Sequence, residues 1–428
     1  MVSFVVNFKS LIYSIKKGIG LGLGILLVLI PISFAGIFFM HKSGILPESM
    51  NEKMFSLFSY QTSSPSPATF ILSKNHTDTL NPYLYKPYQL PTQLKEVLIS
   101  SVAELTKELE KANRSEGGVV FILEDGVYTL DNTLYILADN IAFISRFGLP
   151  EKVIIQGGPD LNRAKTGNLF RVSGSHFVLN GITLQNARNH LVQIGGEQDA
   201  DFPVIINCIL QDSFEQMVKV SYDKTGNPET SSDFGLIENC IFNYTAGIGP
   251  QDYIGGIDAH AINGWIIRNN TFKNISSPKK NVAQYAIHLW NNANNNLVEN
   301  NLIEDCDRGI GFGMRLNSSS QNIAYSNLGG VIRNNTIIHS DNDNPFSDRG
   351  IGLEDSALTL IENNKIWLGH NYPNAIEYRF SSTTGVIIHG NITNKKISSR
   401  NGGVADVFDN ITDADLETIL AEHLFTGK

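Results

Sequence analysis

The stretch GWIIRNNTFKN, Gly264 to Asn274, decides the fold. An apolar pair, Ile266-Ile267, leads through Arg268 into two asparagines, and a second short apolar segment around Phe272 follows. Apolar and polar residues alternate at period 2 on both sides of the asparagines, which is the signature of strands and not of helices. The same phrase recurs as HFVLNGITLQN from His176, FPVIINCILQD from Phe202, FGLIENCIFNY from Phe234, NNLVENNLIED from Asn295, GGVIRNNTIIH from Gly329, LTLIENNKIWL from Leu358 and TGVIIHGNITN from Thr384. Most successive copies are roughly 23–32 residues apart, a period that marks a solenoid.

A coil of short strands with that period is a parallel β-helix, whose strands pair with the coils above and below at about 4.8 Å. Asparagine tolerates the left-handed backbone of a sharp corner, and asparagines stacked on successive coils form a hydrogen-bonded ladder. Asn270, Asn301, Asn335, Asn364 and Asn391 take that corner. Cys208 and Cys240 share the register on earlier coils. A disulfide and a stack of buried thiols are both open to them, and the stack is expected because free cysteine is commonly a small core residue. With Cys306 they make three cysteines without metal-ligand spacing.

These repeats resemble the pectin-lyase-like superfamily of right-handed parallel β-helices, over about Gly117 to Asn410. YTAGIGPQDYIGGIDAH, CDRGIGFG and YPNAIEYRF further resemble a bacterial subgroup described only by its repeats. The resemblance implies an all-β, single-stranded coil (117–410) with an N-terminal capping helix, and a polysaccharide as substrate or ligand. Leu94, Val97, Leu98, Val102, Leu105 and Leu109 recur at helical spacing and predict that cap over 95–116, before Gly117-Gly118 stops it. TDADLETILAEHLF predicts a second capping helix within 411–428, with Thr412 as N-cap.

Ile19 to Met40 is uncharged and close to the ~20 residues that span a bilayer. Lys9, Lys16 and Lys17 precede it, which predicts a signal-anchor helix over 19–40 with residues 1–18 in the cytoplasm and the β-helix extracytoplasmic, periplasmic or extracellular. A cleaved signal peptide is the rival reading, although its apolar core is usually only ~7–15 residues long. Residues 41–94, rich in Ser, Pro, Thr and Tyr, read as a stalk. A net charge of −9 argues against a nucleic-acid partner, which would require a basic stripe.

Upstream of each asparagine corner lies another strand, and aligning their inward aliphatic residues yields two outward columns. The first runs Arg171, Gln193, Lys219, Asp258, His288, Gly311, Gly352, Glu377. The second runs Ser173, Gly195, Ser221, His260, Trp290, Gly313, Glu354, Arg379. The glycines predict a shallow floor for a sugar ring. Elimination from a uronate needs a base for the proton α to the carboxylate and a cation for the charge; Lys219, His260 and His288 are candidate bases. Arg308, Arg349 or Arg379 could neutralise the carboxylate, and Asp258 could orient a histidine. Trp290, Arg315, Arg349, Glu354, Glu377 and Arg379 are candidate substrate contacts.

C5 epimerisation uses the same abstraction. Asp258-x-His260 is similar to the Asp-Pro-His-Asp signature of alginate epimerases, with Ala259 and Ala261 replacing Pro and the final Asp. A hydrolase would use paired carboxyls, with Asp305 and Asp307 or Glu354 and Glu377 on offer. A non-catalytic carbohydrate-binding or adhesive surface fits the same fold. Asp341, Asp343 and Asp348 in SDNDNPFSD supply oxygen ligands that Ca2+ would accept.

Overall fold

The computed structural model describes residues 81–223, 230–316, 323–340 and 344–420. Each repeat forms one coil: from Leu236–Glu238 the chain passes through Ile241–Asn243, Ile257–His260 and Ile262–Asn263, then enters the next coil at Ile266–Arg268. Equivalent strands stack in register as parallel sheets of 12, 10, 10 and 5 strands among the described residues. Sheet A runs from Lys95–Ile99 to Ala405–Phe408, sheet B from Gly126–Thr129 to Ile392–Thr393, sheet C from Leu134–Ile136 to Lys396–Arg400, and the short sheet D from Ser232–Asp233 to Ser356–Ala357. Alternate residues turn inward and stack on their counterparts one coil away. Ile237, Ile267, Val298 and Ile332 make such a stack in sheet A, and the Phe242 and Phe272 rings stack at 4.4 Å in sheet B.

The paired asparagines divide two tasks at the A–B corner. The first of each pair, Asn269, Asn300, Asn334 or Asn363, takes the left-handed backbone, with φ of 55–58°. The second is buried and carries the ladder: Nδ2 of Asn270, Asn301, Asn335 and Asn364 donates to Oδ1 of the next at 2.9–3.0 Å. The ladder residues therefore lie one position after the left-handed corner predicted for them. Asn207 and Asn239 turn the corner before Cys208 and Cys240, which continue the stack as buried free thiols, with the Cys208 N–H donating to Sγ of Cys240 at 3.4 Å.

At the N-terminal end the predicted helix is divided. Lys95–Ile99 is a strand, paired in parallel with Val119–Leu123, and the capping helix α1 spans Val102–Arg114. Ser101 ends the strand and caps the helix, accepting the Glu104 N–H, while the Glu104 carboxylate accepts the Ser100 N–H at 2.9 Å. Leu105, Leu109 and Ala112 face the coil interior. Residues 81–94 are likewise not a free stalk: Tyr83, Leu84, Tyr88, Leu90 and Leu94 pack on an outward apolar column of sheet A. The Asn81 amide anchors them to the carbonyls of Gly235 and Gly264. A short helix, α2 (Leu416–Leu420), buries Ile419 at the other end. The proposed membrane span, the cytoplasmic segment, most of the stalk and residues 421–428 lie outside the described residues. Among those described, no helix is long and apolar enough to cross a membrane.

Candidate functional site

Sheet C sets the two outward columns in the register read from the repeats. Gln193, Lys219, Asp258, His288, Gly311, Gly352 and Glu377 are successive partners, and so are His260 with Trp290 and Glu354 with Arg379. Facing away from the core does not leave these residues in solvent. Asp258, His260 and His288 are 1%, 4% and 3% exposed, which is core-like burial on the outer face.

Asp258 is the centre of the first group. Its Oδ2 accepts from the Lys219 ammonium, its Oδ1 accepts from the Trp290 indole at 2.6 Å, and the rings of His260 and His288 each lie 3.8 Å away. Burial acts to raise the Asp258 pKa, but the Lys219 ammonium at its Oδ2 outweighs it and holds the carboxyl well below the usual range. Lys219 also reaches Nε2 of His260 at 2.7 Å, while the Asn291 amide lies 2.7 Å from Nδ1. An ammonium can only donate, so Nε2 presents its lone pair and Nδ1 carries the hydrogen, an assignment that turns the Asn291 amide to present its oxygen where Nδ2 now stands.

His288 is held differently. Its Nε2 lies 3.1 Å from the Gly313 carbonyl, which can only accept, so Nε2 carries the hydrogen and Nδ1 is a bare lone pair. That Nδ1 is buried and has no hydrogen-bond partner among the described residues. Burial lowers the His288 pKa to about 4, against the opposing pull of Asp258, so the ring is neutral at pH 7. The rings form a row: Tyr222 on His260 at 4.6 Å, His260 beside Trp290 at 4.3 Å, Trp290 on His288 at 5.2 Å, and His288 beside Tyr285 at 4.8 Å.

Tyr285 links this group to a second one. Its hydroxyl accepts from Nε and Nη2 of Arg349 at 3.1 and 2.7 Å. Arg349, 2% exposed, also reaches Glu354 at 2.6 Å, Glu377 at 3.3 Å and Asp348 at 3.4 Å. Glu354 takes Arg379 as well, at 2.6 Å. Glu377 is fully buried beneath the Tyr372 hydroxyl and the Asn374 amide. Arg308 pairs with Asp348 at 2.9 Å and lies over the Tyr285 ring, while Arg315 is exposed and lies over Phe380, as Arg379 does.

The glycine floor is therefore not empty. A Cβ on Gly311 would fall 2.6 Å from the Tyr285 ring, and one on Gly352 would fall 2.4 Å from Nε of Arg349. The glycines make room for protein side chains, not for a sugar. Tyr285 and Arg349 come from the corner that precedes each sheet C strand, where His190, Gln216, Gly255 and Arg308 stand on other coils. A third column read at that corner would have found Tyr285. Of the remaining acids, Asp307 accepts from Ser276 Oγ and the N–H groups of Ser277 and Ala283 and fixes that loop, while Asp305 holds Ser340. Asp348 is committed to arginines, and Asp341 and Asp343 lie outside the described residues.

No curated protein matches the sequence. Among solved structures, the chain is similar to an alginate lyase from Paenibacillus sp. str. FPU-7 (12% identity, 75% of this chain and 99% of that chain, TM-score 0.39). It is also similar to PfbA, a surface adhesin of Streptococcus pneumoniae (13%, 72% and 86%, 0.43), and to the A-module of the Azotobacter vinelandii mannuronan C-5 epimerase AlgE6 (12%, 76% and 98%, 0.38). The family model for the right-handed β-helix region matches residues 180–393, half of the chain. Together with the stacked parallel sheets, this match places the chain in the right-handed β-helix family.

Proposed function

We propose that the protein acts on a uronate-containing polysaccharide by removing the proton α to the carboxylate, leading to β-elimination or C5 epimerisation. The observation that carries this reading is the position of Lys219, whose ammonium is shared between Asp258 and the lone pair of His260 Nε2. The Lys219 side chain is the most exposed of the three, at 13%. A uronate carboxylate that draws the ammonium outward takes it off Nε2, the candidate base, while Asn291 and rings on both faces hold the imidazole in place. Nε2 takes the proton, and the carbanion electron pair either expels the β-oxygen as an alkoxide that water protonates, or takes a proton from water on the other face, the imidazolium then returning its proton to solvent. Lys219 stays on the carboxylate and stabilises the developing charge.

A groove of about 640 Å³ at the B–C corner supports a chain-like ligand, since Lys165, Arg188, Asn189 and Phe214 combine cations, an amide and an exposed ring. Glu215 in its wall lies 3.5 Å from His190, whose pKa burial lowers to about 4. The second reading, a non-catalytic binding surface, is favoured by the burial of His260 and His288.

The test incubates the full chain with alginate, pectate, glycosaminoglycans and neutral glycans. Ultraviolet absorbance follows unsaturated product, and NMR in D2O follows exchange at C5. Turnover on polyuronates that disappears in His260→Ala and Lys219→Ala is the expected result. Binding without product or exchange, unchanged in both variants, would establish the binding surface instead.

A further inference from the structure

At the C-terminal end of a sheet B strand, away from Asp258, a serine hydroxyl meets a histidine, and a second histidine with an orphaned N–H stands beside that ring. His339 ends the strand Thr336–His339, where its Nδ1 lies 2.7 Å from the Ser340 carbonyl. A carbonyl only accepts, so Nδ1 carries the hydrogen and, in the neutral ring, Nε2 presents its lone pair. The Ser347 hydroxyl lies 2.6 Å from that Nε2 and donates to it. Hydroxyl, imidazole and orienting acceptor are in the order that an activated nucleophile requires.

Both partners are held by rigid neighbours. The His339 carbonyl accepts the Gly369 N–H at 2.7 Å. Asp348, the residue after Ser347, is fixed by Arg308, by Arg349 and by its own N–H to the Asp307 carbonyl. The ring of His370 stands edge-on to His339, with centroids 4.7 Å apart. Its Nδ1 accepts the Tyr372 N–H at 3.2 Å, so Nε2 carries a hydrogen, and this buried donor has no acceptor among the described residues. Burial lowers the His370 pKa to about 4, which keeps that tautomer neutral at pH 7.

We propose that Ser347, His339 and His370 form an acyl-ester hydrolase site that accepts short-chain carboxylic esters, with acetyl esters as the substrate class. Ser347 Oγ bonds to the ester carbon as its proton passes to His339 Nε2, and the carbonyl π pair moves onto oxygen, which faces the His370 N–H. Collapse of that oxyanion breaks the ester C–O bond, and the leaving alkoxide takes the proton back from His339. Water then attacks the acyl-serine with the same base, releasing the carboxylic acid and restoring the Ser347 hydroxyl. A short acyl chain suits the site because Ser347 is half-buried and His339 is almost fully enclosed. The proposal stands apart from the Lys219–His260 chemistry and shares no residue with it.

The test treats the full chain with a fluorophosphonate, maps the adduct by peptide mass spectrometry, and follows hydrolysis of 4-nitrophenyl acetate. Modification at Ser347 is expected, with hydrolysis falling about 100-fold or more in Ser347→Ala and in His339→Gln. Circular dichroism confirms that each variant keeps the coil. No adduct at Ser347 in the wild-type chain, or hydrolysis that persists in a folded Ser347→Ala protein, would overturn the assignment.

Discussion

Asn334 and Asn335 look alike in sequence, yet replacing each by alanine should differ severalfold in cost. Asn335 is fully buried. Its Nδ2 donates to Asn364 Oδ1 at 2.9 Å and to the carbonyls of Val298 and Arg333 at 3.0 Å each. Its Oδ1 accepts the backbone N–H and the amide of Asn301 at 3.0 and 2.9 Å. After Asn335→Ala, the Asn301 amide still reaches the Ile267 carbonyl, and Asn364 Oδ1 still accepts the residue 335 N–H. The buried Asn301 N–H loses its acceptor and the Val298 carbonyl loses a donor. Two such groups at ~1–3 kcal/mol each give a destabilisation of about 2–6 kcal/mol. Asn334, by contrast, is exposed with φ of 55°, so alanine there adds only left-handed strain of about 1–2 kcal/mol, and glycine adds none. Guanidinium unfolding followed by circular dichroism measures the difference as midpoint shifts at constant slope. A midpoint for Asn335→Ala no lower than that for Asn334→Ala would refute the division of labour between the two positions.

Gly352→Ala should lower the thermal midpoint, because its Cβ would meet Arg349 Nε at 2.4 Å and the Tyr285 hydroxyl at 2.5 Å. Overpacking of this kind costs ~1–3 kcal/mol, and an unchanged midpoint would show that the two side chains move aside freely. Acidification supplies the other prediction. The His288 pKa is lowered from 6.5 to about 4, so the unfolded chain binds the additional proton; the contribution is whole above pH 6.5 and is lost as pH falls towards 4. Wild-type stability should therefore decline across that window more steeply than that of His288→Gln, and equal slopes in urea titrations at several pH values would contradict the neutral, buried ring.

The periodicity of the repeats was enough to place Lys219, Asp258 and His288 in one column, because a period of 2 within strands and a recurring asparagine corner leave a single register. What it could not convey was their burial. The side chains that close over the column, Tyr222, Tyr285 and Arg349, stand after or before the strands, where no alternation rule assigns a direction. Gly311 and Gly352 were legible as missing side chains, but whether a ligand or a neighbour fills such a gap is a three-dimensional matter. The strand at Lys95–Ile99 was hidden for a different reason. Leu94, Val97 and Leu98 satisfy helical spacing, yet pairing with Val119–Leu123 continues sheet A for one more coil and overrides the local pattern.

Charge on the outside of a β-helix need not imply function, and sheet A provides the comparison within the same molecule. Its outward column Glu238, Arg268, Glu299, Arg333, Glu362 alternates in sign, so each stacked neighbour is a counter-ion, and His389 follows on the next coil. Arg268 pairs with Glu238 and Arg333 with Glu299, each at 2.8 Å, and His389 lies 3.3 Å from Glu362. Partly exposed pairs of this kind each contribute little, and together they leave no polar atom to be explained. Sheet C does the opposite. Asp258 and Glu377 are buried at a desolvation cost that ion pairing does not reliably recover, and apolar side chains would fill the same space at less expense. Polar atoms also remain unmatched there, at His288 Nδ1 and Arg379 Nε. A network selected for stability alone would not carry buried charge and unmet hydrogen-bonding capacity together, which is why sheet C, and not the more visibly charged sheet A, is the face on which activity should be sought.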